Sequence, residues 1–231
     1  NPIISDTVED TSLTVNDLTE NIYSWRVKAF DLAGNESDWS YTSNFGIDTT
    51  PPSQVTLISP LNNSYINQNH VTFSFHHSSD NLSGIYSYLL LFSPDSLFSS
   101  CDTQTTHDTT ITISGLPQGT IFWQVLAIDS ASNISSPSPT WNFEIDTSPP
   151  ISPSPLFPPQ NTFLNANSTT LIWSSCILSY HNHNLLDPNK SPVLYILQLD
   201  TLPDFNNPII SDTVEDTSLT VNDLTENIYS W

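Results

Sequence analysis

Four aspartates stand at matched places in the chain and form its clearest opening for chemistry. Asp31 and Asp48 have the same separation as Asp129 and Asp146, and each pair flanks a similar segment. Carboxylates beside a joint between domains can hold Ca²⁺, a hard cation that takes six to eight oxygen ligands. No Asp-x-Asp-x-Asp-Gly loop is present to supply that many oxygens. Asp in a turn more commonly caps backbone N–H groups, so capping and calcium are the two readings of these residues.

The other reactive residues give less. Cys176, His181 and His183 follow a C-x₄-H-x-H spacing, but tetrahedral zinc wants a fourth ligand or a water and none lies nearby. The two histidines sit in an Asn-rich polar stretch and read as solvated. Gly-x-Ser-x-Gly, His-Glu-x-x-His, a Gly-rich phosphate loop and Cys-x-x-Cys-His are all absent, so neither hydrolase catalysis nor covalent haem has a motif to rest on. The acid pair Glu9–Asp10 precedes a strand-like run and reads as solvated charge. No enzyme activity is expected, and no cofactor besides calcium.

Acidity bounds the partners. There are 24 Asp and Glu against Arg26, Lys28 and Lys190, a net charge of −21. Nucleic acid needs clustered Lys and Arg that release counterions, so it is excluded, and anionic lipid is repelled for the same reason. A divalent cation is attracted. No apolar run of about 20 residues suits a membrane span. Six Trp, eight Tyr and eleven Phe supply apolar area that a disordered acidic chain lacks.

Two repeats organise the whole. Residues 1–25 recur unchanged as 207–231. Folding tolerates substitution even in a core, so it does not by itself preserve surface residues such as Asp6, Glu9, Asn16 and Glu20. A second, diverged repeat relates WRVKAFDLAGNESDWSYTSNFGIDTTPP (25–52) to WQVLAIDSASNISSPSPTWNFEIDTSPP (123–150), without a gap. Upstream, 60–75 parallels 158–173. A recurrence near 100 residues built from strand-like segments indicates an array of β domains. Tyr23, Trp25, Val27 and Ala29 alternate with polar residues, as do Val71, Phe73 and Phe75, the pattern of half-buried strands. Eighteen prolines forbid long helices, and the Pro-Pro pairs at 51–52 and 149–150 make semi-rigid joints.

Taken together, the Tyr-x-Trp-x-Val-x-Ala strand (23–29), the Asp-x-Ala-Gly-Asn turn (31–35), the Ile-Asp-Thr-Thr-Pro-Pro exit (47–52) and Trp173, with Phe75 in its place in the middle domain, carry a likeness to a known family. The chain resembles fibronectin type III and related immunoglobulin-like repeats of bacterial surface proteins. The resemblance implies an all-β chain of tandem β-sandwich domains in an extended array. It places the last strands of one domain in 1–50 and a complete fibronectin type III-like sandwich in 51–150. Residues 151–231 then hold the first strands of another domain, of the type that ends at 50. Cys101 and Cys176 fall in different domains on this division, so no disulfide within a domain is expected. One departure is Asp129-Ser-Ala-Ser-Asn133, where serine replaces the turn glycine.

The middle domain also breaks the alternation rule. Ile121–Ile128 and Tyr86–Phe92 are apolar on both sides, and the third and sixth strands of an immunoglobulin-type sandwich are neighbours in one sheet. Leu89, Leu91, Phe122 and Leu126 would share its outer face, either under a loop or as an assembly interface. The expected function is a structural repeat module of an extracellular tandem-repeat surface protein, an adhesin stalk, filament or sheath. Its partners would be neighbouring repeats or chains, and a surface ligand or carbohydrate. The alternative is a spacer or carbohydrate-binding module of a secreted multidomain enzyme, for which Trp39 and Trp141 are the candidate sugar platforms.

Overall fold

Alternation dictates the strands. Along β9 (Gly119–Asp129), Ile121, Trp123, Val125, Ala127 and Asp129 are buried, while Phe122, Gln124, Leu126 and Ile128 between them are half-buried. Val71, Phe73 and Phe75 do the same on β5 (His70–Phe75). The computed structural model describes residues 4–176 and 193–231, and every regular element among them is a strand. The chain forms two units, Asn1–Thr147 and Ser148–Trp231.

In the first unit, β3 (Leu57–Ser59), β5 and β8 (Thr110–Ser114) form a three-stranded antiparallel sheet in that order. The second sheet runs β4 (Ser64–Ile66), β10 (Trp141–Ile145), β9, β6 (Ile85–Ser93), β7 (Asp102–Thr106). Only β4 joins it parallel. Inner faces of both sheets meet in one core, with Phe73 at its centre against the rings of Trp123 (5.1 Å) and Phe143 (5.8 Å). This is a fibronectin type III-like β-sandwich, as the sequence leads one to expect. Its edge strand β7, Asp-Thr-Gln-Thr-Thr, is polar throughout, which discourages pairing with a stray strand.

A buried tyrosine ties the sheets together. Tyr88 packs 4.9 Å from Phe75, and its hydroxyl accepts the Ser78 N–H at 3.0 Å. Tyr88→Phe keeps the ring but leaves that buried donor without a partner. The expected loss is about 1–2 kcal/mol, read as a lower urea midpoint with an unchanged slope.

Ahead of the sandwich, β1 (Asn21–Trp25) and β2 (Ser43–Ile47) form an antiparallel hairpin, Trp25 opposite Ser43. The diverged repeat is visible in its bonds. The Ser37 and Ser40 hydroxyls accept the Ala29 and Val27 N–H groups, as Ser135 and Ser138 do for Ala127 and Val125. Gly34 takes a φ of 87° in the turn, and Ser132 holds the matching place at 73°. The serine therefore accepts the left-handed geometry that glycine adopts more readily. None of the described residues in 4–50 is buried.

The second unit has β11 (Pro155–Phe157), β12 (Thr169–Trp173) and β15 (Ser218–Val221) in one sheet and β13 (Tyr195–Leu199) with β14 (Ile210–Val214) in another. Its core holds Leu171, Trp173, Tyr195, Leu197, Leu199 and Val221. Tyr195 repeats Tyr88, since its hydroxyl accepts the Cys176 N–H at 3.1 Å beside Trp173. Cys101 is exposed and Cys176 buried, and both are free thiols.

Candidate functional site

Three carboxylates converge in the first unit. Asp48 follows β2, Asp80 lies in the loop between β5 and β6, and Asp129 ends β9. One oxygen from each lies within 4.8 Å of the others. Strand alternation puts Asp129 on the inner face of β9, where it is 1% exposed. Its Oδ1 accepts the N–H groups of Ala131 (2.9 Å) and Asn133 (2.8 Å), and its Oδ2 accepts Asn133 Nδ2–H. Asp48 Oδ2 accepts the Ser83 N–H at 3.0 Å, and the Asp48 carbonyl accepts Asn133 Nδ2–H at 3.1 Å. Glu20 adds bonds from Thr50 and Asn81. These contacts fasten the segment after β2 to the loops of the sandwich.

Asp80 is the unsatisfied member. Its Oδ2 accepts Gly84 and Leu82 N–H groups, but Oδ1 is buried with no hydrogen-bond partner. The Gly84 N–H, followed by the Leu82 N–H, holds this carboxyl below the usual carboxylate range against the opposing push of desolvation. It is therefore charged at neutral pH. The Ser83 hydroxyl beside it is also buried without a partner. An all-oxygen set with an orphaned carboxylate oxygen fits a hard divalent cation. Bound Ca²⁺ would supply positive charge to three converging anions and fix the three loops to one another.

Of the four matched aspartates, the fold brings Asp48 and Asp129 together and leaves Asp31 and Asp146 out of this group. Asp31 caps its own turn bond for bond like Asp129, accepting the Ala33 and Asn35 N–H groups and Asn35 Nδ2–H. The Asn35 side chain, with its N–H, lowers the Asp31 pKa. Asp146 follows β10, and its N–H donates to Ile66. Sequence reasoning missed Asp80, because no repeat partner or motif marks it; the one signal was its Asp-x-x-x-Gly turn. His181 and His183 lie outside the described residues.

Millimolar Ca²⁺ should raise the melting temperature of the first unit, by roughly 10 °C at a hundredfold excess over the dissociation constant, and EDTA should reverse it. Asp80→Asn should abolish the response and Asp31→Asn should leave it intact. Calorimetry of the three proteins checks this.

The apolar positions also come together. Leu89 stands opposite Leu126 on the outer side of β6 and β9, with Leu91 opposite Gln124 and Phe122 opposite Ser93. All four apolar residues are half-buried. Trp141 faces inward, edge-on to Trp123 at 6.1 Å, so its ring serves the core and offers no sugar platform. Trp39 carries the Arg26 guanidinium 4.3 Å from its ring centre.

No family model and no curated protein matches the sequence. Among solved structures, the chain is similar to the fibronectin type III domain of human fibronectin type III domain containing protein 3, at 16% identity. That match covers 45% of this chain and 95% of that one, with a TM-score of 0.34. The sixth fibronectin type III domain of the same human protein matches at 15% identity, over 46% and 97% of the two chains, with a TM-score of 0.35. The fibronectin(III)-like modules of Clostridium thermocellum CbhA match at 16% identity, over 55% and 64%, with a TM-score of 0.36.

Proposed function

We propose that this chain is a structural repeat module of an extracellular tandem-repeat surface protein, building a stalk, filament or sheath. The observation that carries the reading is the unaltered return of 25 residues, surface positions included. A module repeated in that way acts by length, stiffness and packing, and needs no catalytic group. Two further features support it. Asp48, Glu20 and Asn133 brace the segment between the hairpin and the sandwich, which resists bending there. The Leu89–Leu91–Phe122–Leu126 face offers a lateral contact without charge among chains that otherwise repel at −21 each.

Lateral packing is testable on that face. Leu91→Asp with Phe122→Asp places two charges on the outer sheet surface and leaves the inner core untouched. Side-by-side bundles, sought by electron microscopy, should form in wild type and disappear in the variant, which stays folded with a moderately lower melting temperature, since both side chains are half-buried on the outer sheet surface and neither joins the inner core. Bundles that persist in the double variant would remove this contact from the assembly.

A further inference from the structure

We infer that Ser96 is an acceptor for an O-linked sugar, marked for it by the carboxylate of Asp95. The sequence carries the first observation. In residues 1–206, which count the duplicated segment once, 9 of 15 aspartates are followed directly by Ser or Thr. Ser and Thr are 61 of 231 residues, which by composition would put about four there. Turn chemistry does not account for the excess. Asn makes the same capping turns as Asp, yet only 3 of the 19 asparagines in 1–206 precede Ser or Thr. The pairing follows the charge and not the turn.

The fold presents three of these pairs alike. Asp48, Asp95 and Asp129 each reach over the next residue to accept the N–H of the one after it, Thr50 (3.1 Å), Leu97 (2.8 Å) and Ala131 (2.9 Å). The spanned residues Thr49, Ser96 and Ser130 are exposed, and such a turn needs no hydroxyl there. Ser96 is the most open of the three. The Thr49 hydroxyl donates to Glu20 and the Ser130 hydroxyl to the Gly84 carbonyl, both at 3.3 Å. The Ser96 hydroxyl has no partner among the described residues. Its loop, between β6 and β7, is held from within, the Ser93 hydroxyl donating to the Ser100 carbonyl at 2.9 Å. Leu97 beside it is 84% exposed, the most exposed large apolar side chain of the sandwich. A bulky, soluble sugar on Ser96 would cover it.

Other modifications fit less well. In the Asn-x-Ser sequences at Asn35, Asn81 and Asn133, the side-chain Nδ2–H already donates to Asp31, Glu20 and Asp129, so these amides are engaged where an N-linked sugar would attach. A phosphate on Ser96 would set a second anion beside the Asp95 carboxylate and be repelled by it, in a chain already at −21. A neutral sugar meets no such penalty. In the reaction, Ser96 Oγ attacks the anomeric carbon of a sugar activated by a phosphate leaving group. The new C–O bond replaces the bond to phosphate, and the hydroxyl proton passes to a base of the transferase, with no change of oxidation state. The carboxylate of Asp95 is the mark a cationic group of that transferase would read. Modification at Ser96 needs neither repetition nor lateral packing, so its failure would leave the repeat-module reading untouched.

The test uses the protein isolated from the cells that make it, digested by a protease that cuts before aspartate, so that Ser96 falls in the peptide 95–101. Mass spectrometry should find that peptide heavier by one or more sugar residues. Fragmentation that spares the glycosidic bond should place them on Ser96 and not on Ser99 or Ser100. Made in the same cells, Asp95→Asn keeps an oxygen to accept the Leu97 N–H, so the loop stays folded, but it removes the charge. That variant should lose the sugar from Ser96 completely, as Ser96→Ala should. An unmodified 95–101 peptide, phosphate in place of sugar, sugar spread over Ser and Thr regardless of the preceding residue, or an Asp95→Asn chain modified like wild type would each overturn the inference.

Discussion

Trp123→Ala is expected to be the most destabilising single change in the sandwich of the first unit, removing a large share of its stability. The side chain is fully buried, packed edge-on against Phe73 at 5.1 Å and Trp141 at 6.1 Å. Removing it leaves a cavity between two sheets that cannot close without breaking the β6–β9 ladder. Such truncations cost about 3–5 kcal/mol, against the ~5–15 kcal/mol that holds a whole domain together. Trp123→Phe should cost far less, because it keeps most of the ring and removes an indole N–H that is buried without a partner. Calorimetry of the two variants separates the packing of the ring from the burial of its N–H group. An alanine variant melting within a few degrees of wild type would mean that the two sheets do not meet where we place them.

Asp129→Ala should be the next most damaging change, by about 2–4 kcal/mol in calcium-free buffer. The carboxylate is buried and satisfies two backbone N–H groups and the Asn133 amide, which in turn holds the Asp48 carbonyl. Alanine leaves those donors unmet and releases the segment after β2. Asp31→Ala removes the same set of bonds from the same turn, but in a hairpin where water replaces them, and should barely move the melting curve. The pair thus measures burial with the local chemistry held constant. Equal losses for the two variants would show that the turn, and not its burial, sets the value of these bonds.

Much of the fold is legible in the chain because strand alternation maps directly onto two faces of a sheet. The alternation in Val71–Phe75 and Tyr23–Ala29 becomes β5 and the start of the first hairpin, and the doubly apolar runs become β6 and β9, neighbours in one sheet. The turn at Asp129 is legible too, since the repeat matches it to Asp31. The acidic site is half legible. Asp48 and Asp129 stand among the matched aspartates, but which carboxylates share a space depends on how the loops pack, and only that packing brings in Asp80 and excludes Asp31 and Asp146. Trp141 was legible by the alternation rule, for it alternates with Asn142 and Glu144 and so shares the inner face of Phe143 and Ile145.

The duplicated segment divides the two contributions within one molecule. Bonds between near neighbours are the same in both copies. Tyr23 Oη donates to the Thr19 carbonyl at 2.7 Å and Tyr229 Oη to Thr225 at 2.8 Å, and the Asn21 and Asn227 side chains each cap the next N–H at 2.8 Å. Identical residues four or fewer places apart meet in identical ways, so the sequence alone determines these. The ladders differ. Residues 210–214 and 218–221 are strands β14 and β15, while the same residues at 4–8 and 12–15 form none and lie exposed. A strand is held by hydrogen bonds to another strand, and β13 and β12 supply them in the second unit. Only the tertiary structure decides whether a partner is there, and so whether this sequence is a strand at all.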